Sequence, residues 1–167
     1  VVEKGNAEFK RSKILAYENR DTGYVSEWAP TIIADASSLL SIQGCEIESL
    51  NTNSGYRVPY GVYINRATTT FSASPKTVLR GFKRGIYQLL GGTQQIPELS
   101  FYNNQTNYLL GGTTRSNITL ANKNMLIDTD VTIPTGKTVT LASGCDLFRQ
   151  DTRRFIVDGG KFQATNA

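Results

Sequence analysis

Along the last third of the chain, apolar residues come in pairs two positions apart, and each pair is fenced by turn-forming residues. The pairs are Ile118-x-Leu120, Met125-x-Ile127, Val131-x-Ile133 and Val139-x-Leu141, followed by Leu147-Phe148, Phe155-Ile-Val157 and Phe162. The fences are Pro134-Thr-Gly136, Ser143-Gly144 and Gly159-Gly160. A spacing of two puts both members on one face of a strand, whereas a helix face needs three and four. Gly, Pro, Asn and Asp between the pairs hold each run to a few residues, so the stretch reads as short strands and turns.

A longer period overlies the pairs. Leu126 to Leu147, Ile127 to Phe148 and Leu141 to Phe162 are each 21 positions apart. Short strands repeating every 20 to 25 residues build stacked coils of a solenoid rather than a hairpin sandwich. The turns agree, because two-residue Asn-Gly or Asp-Gly hairpin loops are not the connectors between these pairs. The period predicts that Leu126 stacks on Leu147 and Leu141 on Phe162, all pointing inward.

The N-terminal half repeats less tightly. Phe9 to Ile14 matches Ile42 to Ile47 at an offset of 33, and Gly61-Val-Tyr-Ile64 recurs as Gly85-Ile-Tyr-Gln88 at an offset of 24, which sets Tyr63 one coil below Tyr87. The extra residues fall in two polar insertions, Glu18 to Pro30 and Asn51 to Pro59, read as loops protruding from the stack. Val78, Phe82, Ile86 and Leu89 have helical spacing, but Gly81 and Gly85 interrupt them, and strand and turn is the reading adopted for Pro75 to Gly91. The organisation expected is irregular coils over 1–90, a connecting segment over 91–117 and a short-coil module over 118–167. The fold class expected is all-β, a right-handed parallel β-helix.

Composition supports strands and turns: Thr, Ser, Asn and Gly make up 58 of 167 residues. Histidine is absent, which removes Ser-His-Asp and Cys-His nucleophiles and the His-based zinc helix. A net charge of +4, with charged residues at only 19%, leaves no basic footprint for a nucleic acid. No apolar run reaches the 18 or more residues of a membrane span. Cys45 and Cys145 have no CxxC spacing; buried free thiols are expected, with a disulfide as the alternative. The chain opens at Val1 without an initiator Met and runs out after Phe162 with no capping helix. The expectation is therefore that further coils or a β-domain follow, and that residues 1–167 alone self-associate through an open end.

Ser41-Ile-Gln-Gly-Cys-Glu-Ile-Glu48, Tyr60-Gly-Val-Tyr-Ile64 and Val78 to Tyr87 resemble the coils of right-handed parallel β-helix proteins, the pectate-lyase-like solenoids. Val131 to Cys145, followed by Phe155 to Ala164, is similar to the short-coil modules of large secreted bacterial surface proteins, particularly those exported by the type IX secretion system. The resemblance covers roughly residues 8 to 164. It implies a secreted, cell-surface location, with partners among further domains of the same polypeptide, the secretion or attachment machinery, and polysaccharide or surface glycan. Such coils also occur in lyases, glycosidases, phage tailspikes and adhesins, so fold alone does not decide activity.

The reading adopted is a structural or adhesive segment without a cofactor or catalytic residues; the alternative is a polysaccharide lyase, glycosidase or tailspike. For the alternative, Glu46 and Glu48 share one strand face and could pair with Asp35 or Asp21 as acid and base. Asp128-Thr-Asp130 offers too few oxygens for calcium and reads as a turn. Arg80, Lys83 and Arg84, and separately Arg149, Arg153 and Arg154, form short basic clusters that could meet an anionic polysaccharide. Asn104-Gln-Thr106 and Asn117-Ile-Thr119 match the glycosylation acceptor only at the level of chance. The candidate ligand-binding residues are Tyr24 and Trp28 in the first insertion, and Tyr56, Arg57 and Tyr60 at the end of the second. Their aromatic faces suit sugar rings, or else a ladder packing coil on coil.

Overall fold

The computed structural model describes residues 4–17, 29–51 and 57–165. Among them there is no helix, and the chain is all-β with parallel strands. The order is β1 (Asn6–Lys10), β2 (Lys13–Ala16), β3 (Pro30–Ala34), β4 (Leu39–Gln43), β5 (Glu46–Ser49), β6 (Tyr60–Asn65), β7 (Thr68–Phe71), β8 (Val78–Arg80) and β9 (Arg84–Leu90). Then follow β10 (Gln94–Gln95), β11 (Ser100–Tyr102), β12 (Thr106–Thr113), β13 (Ile118–Leu120), β14 (Met125–Pro134), β15 (Thr138–Leu141), β16 (Leu147–Arg149), β17 (Phe155–Asp158) and β18 (Lys161–Ala164).

From β1 to β9 each strand pairs with the one three places later, giving sheets β1-β4-β7-β10, β2-β5-β8-β11 and the start of β3-β6-β9-β12-β14-β16, with β17 also on β14. A fourth sheet runs β13-β15-β18. The stretch 91–117 thus holds β10, β11 and β12, which pair with β7, β8 and β9. The segment with ambiguous helical spacing forms β8 and β9, as the glycines demanded. Gly81 sits at φ +80, and a Cβ there would press to 3.0 Å from the Ser49 carbonyl, so the turn between these strands takes glycine.

Register explains the core. Ile32, Val62, Ile86, Tyr108, Met125 and Leu147 form one inward column of the longest sheet. Ile14, Ile47, Leu79 and Phe101 form another, and Phe9, Ile42 and Phe71 a third. Most of these side chains are buried in a single hydrophobic cluster, each contributing about 1.5–3 kcal/mol of transfer free energy. The offsets of 33 and 24 read in the sequence are the observed ones: Phe9 pairs with Ile42, Ile14 with Ile47 and Tyr63 with Tyr87.

The 21-residue stacks are corrected. Met125, not Leu126, lies on Leu147; Leu126 lies on Phe148 and Ile127 on Arg149, an offset of 22. Phe162 lies on Val139, and Leu141 on Ala164, an offset of 23. An offset of 21 holds only between β13 and β15, where Ile118 meets Val139. The reason is parity. Met125 and Ile127 face the core, whereas Leu126 is half-buried and Phe148 is 53% exposed, and a slip of one residue exchanges the two faces. Asp158-Gly159 lies between two strands, yet β17 and β18 belong to different sheets, so it closes no hairpin.

Asparagine side chains also join segments 21 to 25 residues apart. Asn104 Oδ1 accepts from the Phe82 amide at 2.9 Å while its Nδ2 donates to the Leu79 carbonyl. Asn117 Oδ1 accepts from the Thr138 amide at 2.9 Å. Both acceptor-motif asparagines are therefore engaged in holding the stack. Cys45 is buried and Cys145 half-buried, and both are free thiols. Among the described residues no helix is long and apolar enough to cross a membrane.

Candidate functional site

Two of the sequence candidates, Arg57 and Tyr60, lie at one corner of the longest sheet. Here the segment before β6, the turn before β9 and the turn before β12 are joined by backbone bonds: Lys83 N to the Val58 carbonyl at 3.0 Å, Arg84 N to Pro59 at 2.9 Å and Thr106 N to Lys83 at 2.9 Å. Gly61 and Gly85 lie against the core, since a Cβ on Gly61 would meet Leu79 and Phe82 and one on Gly85 would meet Phe101. That lets the buried Tyr60 ring lie against the half-buried rings of Tyr63 and Tyr87. Tyr63 and Tyr87 stack at 5.3 Å and 20°, and Tyr60 stands edge-on to Tyr63 at 6.1 Å.

Two cations complete the corner. The Arg84 guanidinium lies 5.1 Å from the centre of the Tyr60 ring, an attraction of about 0.5–2 kcal/mol depending on solvent access. Arg57 reaches a segment 46 residues further on, its Nη1 donating to the Asn103 carbonyl and its Nη2 to Asn103 Oδ1 at 3.0 Å. Its Nε is buried with no hydrogen-bond partner among the described residues. Among the described residues no carboxylate meets Arg57 or Arg84. Tyr60 is only 9% exposed; Tyr63 and Tyr87 are half-buried. Burial, and next the neighbouring Asp128, holds the Tyr87 hydroxyl well above the ordinary tyrosine range, so the ring stays neutral, with a carboxylate on one side and the two guanidinium groups on the other. Tyr24, Trp28 and Tyr56 lie outside the described residues, as does Asp21.

A pair of carboxylates lies elsewhere, on β5. Glu46 and Glu48 point outward from β5, where Lys13 Nζ approaches them at 3.8 and 2.9 Å and Arg80 Nη2 approaches Glu46 at 3.7 Å. The hydrogen bond from Lys13 is the largest influence holding Glu48 below the ordinary carboxylate range. A general acid needs the opposite shift. Asp35 accepts from its own turn at the Ala36 amide and from Asn65 Nδ2 at 2.5 Å, and makes no pair with Glu46.

Asp130 is likewise engaged. Arg154 Nη2 and Nε donate to its Oδ2 at 2.7 and 3.1 Å, and the Arg154 amide to its Oδ1 at 2.9 Å. Among the described residues no cluster of three His, Cys, Asp or Glu side chains could hold a metal ion. Arg80 leans over the Tyr102 ring at 5.1 Å as well as toward Glu46.

Comparison with protein-family models, curated proteins and solved structures returns no match for this chain. Site chemistry therefore rests on the geometry alone. The Arg84 to Tyr60 contact was legible in the sequence, because the 24-residue offset that aligns Gly61 with Gly85 also aligns Tyr60 with Arg84. The Arg57 to Asn103 clamp carried no such signal: it joins segments 46 residues apart.

Proposed function

We propose that the chain winds as a closed, right-handed parallel β-helix serving as a non-catalytic, adhesive segment of a secreted bacterial cell-surface protein, with the Arg57, Tyr60 and Arg84 corner contacting glycan. Support for the winding comes from strands that pair in parallel with the third strand on, since parallel crossovers are right-handed in about 98% of cases. Support for the contact is the juxtaposition of stacked Tyr63 and Tyr87 with two guanidinium groups that no described carboxylate neutralises. Flat aromatic faces pack against sugar rings while the guanidinium edges donate to hydroxyl or carboxylate oxygens. The ion pairing of Glu46 and Glu48 favours this reading over a lyase or glycosidase.

Affinity electrophoresis in gels containing polygalacturonate, alginate or neutral dextran tests it. Retardation in at least one gel, weakened by Arg57→Gln or Tyr87→Ala and unaffected by Leu15→Ala, is the expected result. Absence of retardation in all three would refute the glycan contact. Release of reducing ends or unsaturated products, abolished by Glu48→Gln, would replace the adhesive reading with an enzymatic one.

A further inference from the structure

The ladder β1-β4-β7-β10 stops at β10, and β13-β15-β18 begins a separate ladder although β13 lies against β10. Side chains join the two sides at both ends of this break. Ser116 Oγ donates to the Gly92 carbonyl at 3.3 Å. At the other end Asn122 Nδ2 donates to the Pro97 carbonyl at 3.0 Å, and the Leu99 amide donates to Asn122 Oδ1 at 2.8 Å. Outside the break runs a groove of about 410 Å³ between Gln95, Pro97, Asn117 and Thr119. Behind it, within the core, is a cavity of about 10 Å³ against Gln88, Gln94, Tyr108 and Asn122. Gln94, Ile96, Ile118 and Thr119 line both spaces.

Gln94 is 7% exposed, and its Nε2 donates to the Leu89 carbonyl at 3.1 Å. That bond fixes which way the carboxamide faces, because the reverse orientation would set two oxygens against each other. Its Oε1 is buried and meets no donor among the described residues. Buried carbonyl oxygens without a donor are rare, and the cavity beside this one is polar. The Tyr108 hydroxyl donates to Gln88 Oε1 and so retains lone pairs of its own. Asn122 is already engaged on both sides. The requirement is a donor to Gln94 Oε1 that is no larger than the cavity, and a second proton on it can meet the Tyr108 hydroxyl oxygen. A cavity of roughly 10–15 Å³ by this measure accepts a single water molecule.

We propose that this cavity is a binding site for one internal water molecule, which donates to Gln94 Oε1 and to the Tyr108 hydroxyl oxygen and enters through the gap between β10 and β13. The break in the ladder and the polar residues in an otherwise apolar core then have one cause. Where one sheet hands over to the next, the backbone leaves an opening, and a water there completes the hydrogen bonding of the side chains that line it.

Oxygen-17 magnetic relaxation dispersion on the folded chain counts long-lived waters. Wild type should show one more than Gln94→Met, which keeps the side chain's length and removes the carboxamide acceptor; equal counts would overturn the site. Should Gln94→Met not fold, Tyr108→Phe retains the ring and removes the second partner, with the same loss of one water expected. Residence should be much shorter than the global unfolding time, and a water released only on unfolding would overturn the entry route. A crystal structure gives an independent reading. Density about 2.7–3.2 Å from Gln94 Oε1 supports the site, and a carboxamide turned onto a backbone amide with no density in the cavity refutes it.

Discussion

Ile86 sits at the centre of the longest inward column, fully buried, with Val62 on one side and Tyr108 on the other. Ile86→Ala removes three carbons, which at about 0.8 kcal/mol each is a loss of roughly 2.4 kcal/mol of transfer free energy. The flanking strands are fixed by ladder bonds on both sides, so the column closes only partly. If about half of the ~80 Å³ deleted remains as cavity, ~24 cal/mol per Å³ adds about 1 kcal/mol. The expected destabilisation is therefore about 3 kcal/mol, which for a chain of this size lowers the thermal midpoint by about 6–12 °C. Equilibrium unfolding in urea, followed by far-UV circular dichroism, should show a lower midpoint with an unchanged slope. Leu15→Ala, at a site 51% exposed on β2, is the control and should stay within about 0.5 kcal/mol of wild type. If Ile86→Ala cost less than about 1 kcal/mol, or no more than the control, the inward column would be wrong.

Gly85→Ala should destabilise by about 1–3 kcal/mol in the same assay, because its Cβ would lie 2.6 Å from the Asn107 carbonyl and 3.0 Å from the Phe101 ring; a stabilised variant would show that the close approach is absent. Asp130 and Glu48 are held below their ordinary values of 3.8 and 4.5, chiefly by hydrogen bonds from Arg154 and Lys13. Their stabilising contribution is thus present above those values and lost as pH falls through the lower folded ones. The thermal midpoint should drop on acidification below about pH 4.5, with a shallower fall in Asp130→Asn; identical slopes would refute the pairing. An aromatic disulfide reagent should label Cys145 slowly, since burial pushes its thiol up, and Cys45 only after denaturation; rapid labelling of both in the folded chain would contradict their burial.

Strand identity was legible in the sequence because it is local. A spacing of two between apolar residues, with Gly, Asn or Pro after each pair, leaves the backbone no helical solution that buries both members. The 33- and 24-residue offsets were legible too, since Phe9, Ile42, Gly61 and Gly85 carry matching neighbours that the ladder keeps in register. In the C-terminal third the apolar pattern could not set the register, because Leu126 and Phe148 are as apolar as Met125 and Leu147 and only the pleat decides which pair turns inward. The same limit applies to the Arg57 clamp on Asn103, the pairing of Glu48 with Lys13 and the break between β10 and β13. Each depends on how far the chain travels between one circuit and the next. Hydrogen bonding between strands some 17 to 33 residues apart fixes that distance, and no local preference of the intervening residues encodes it.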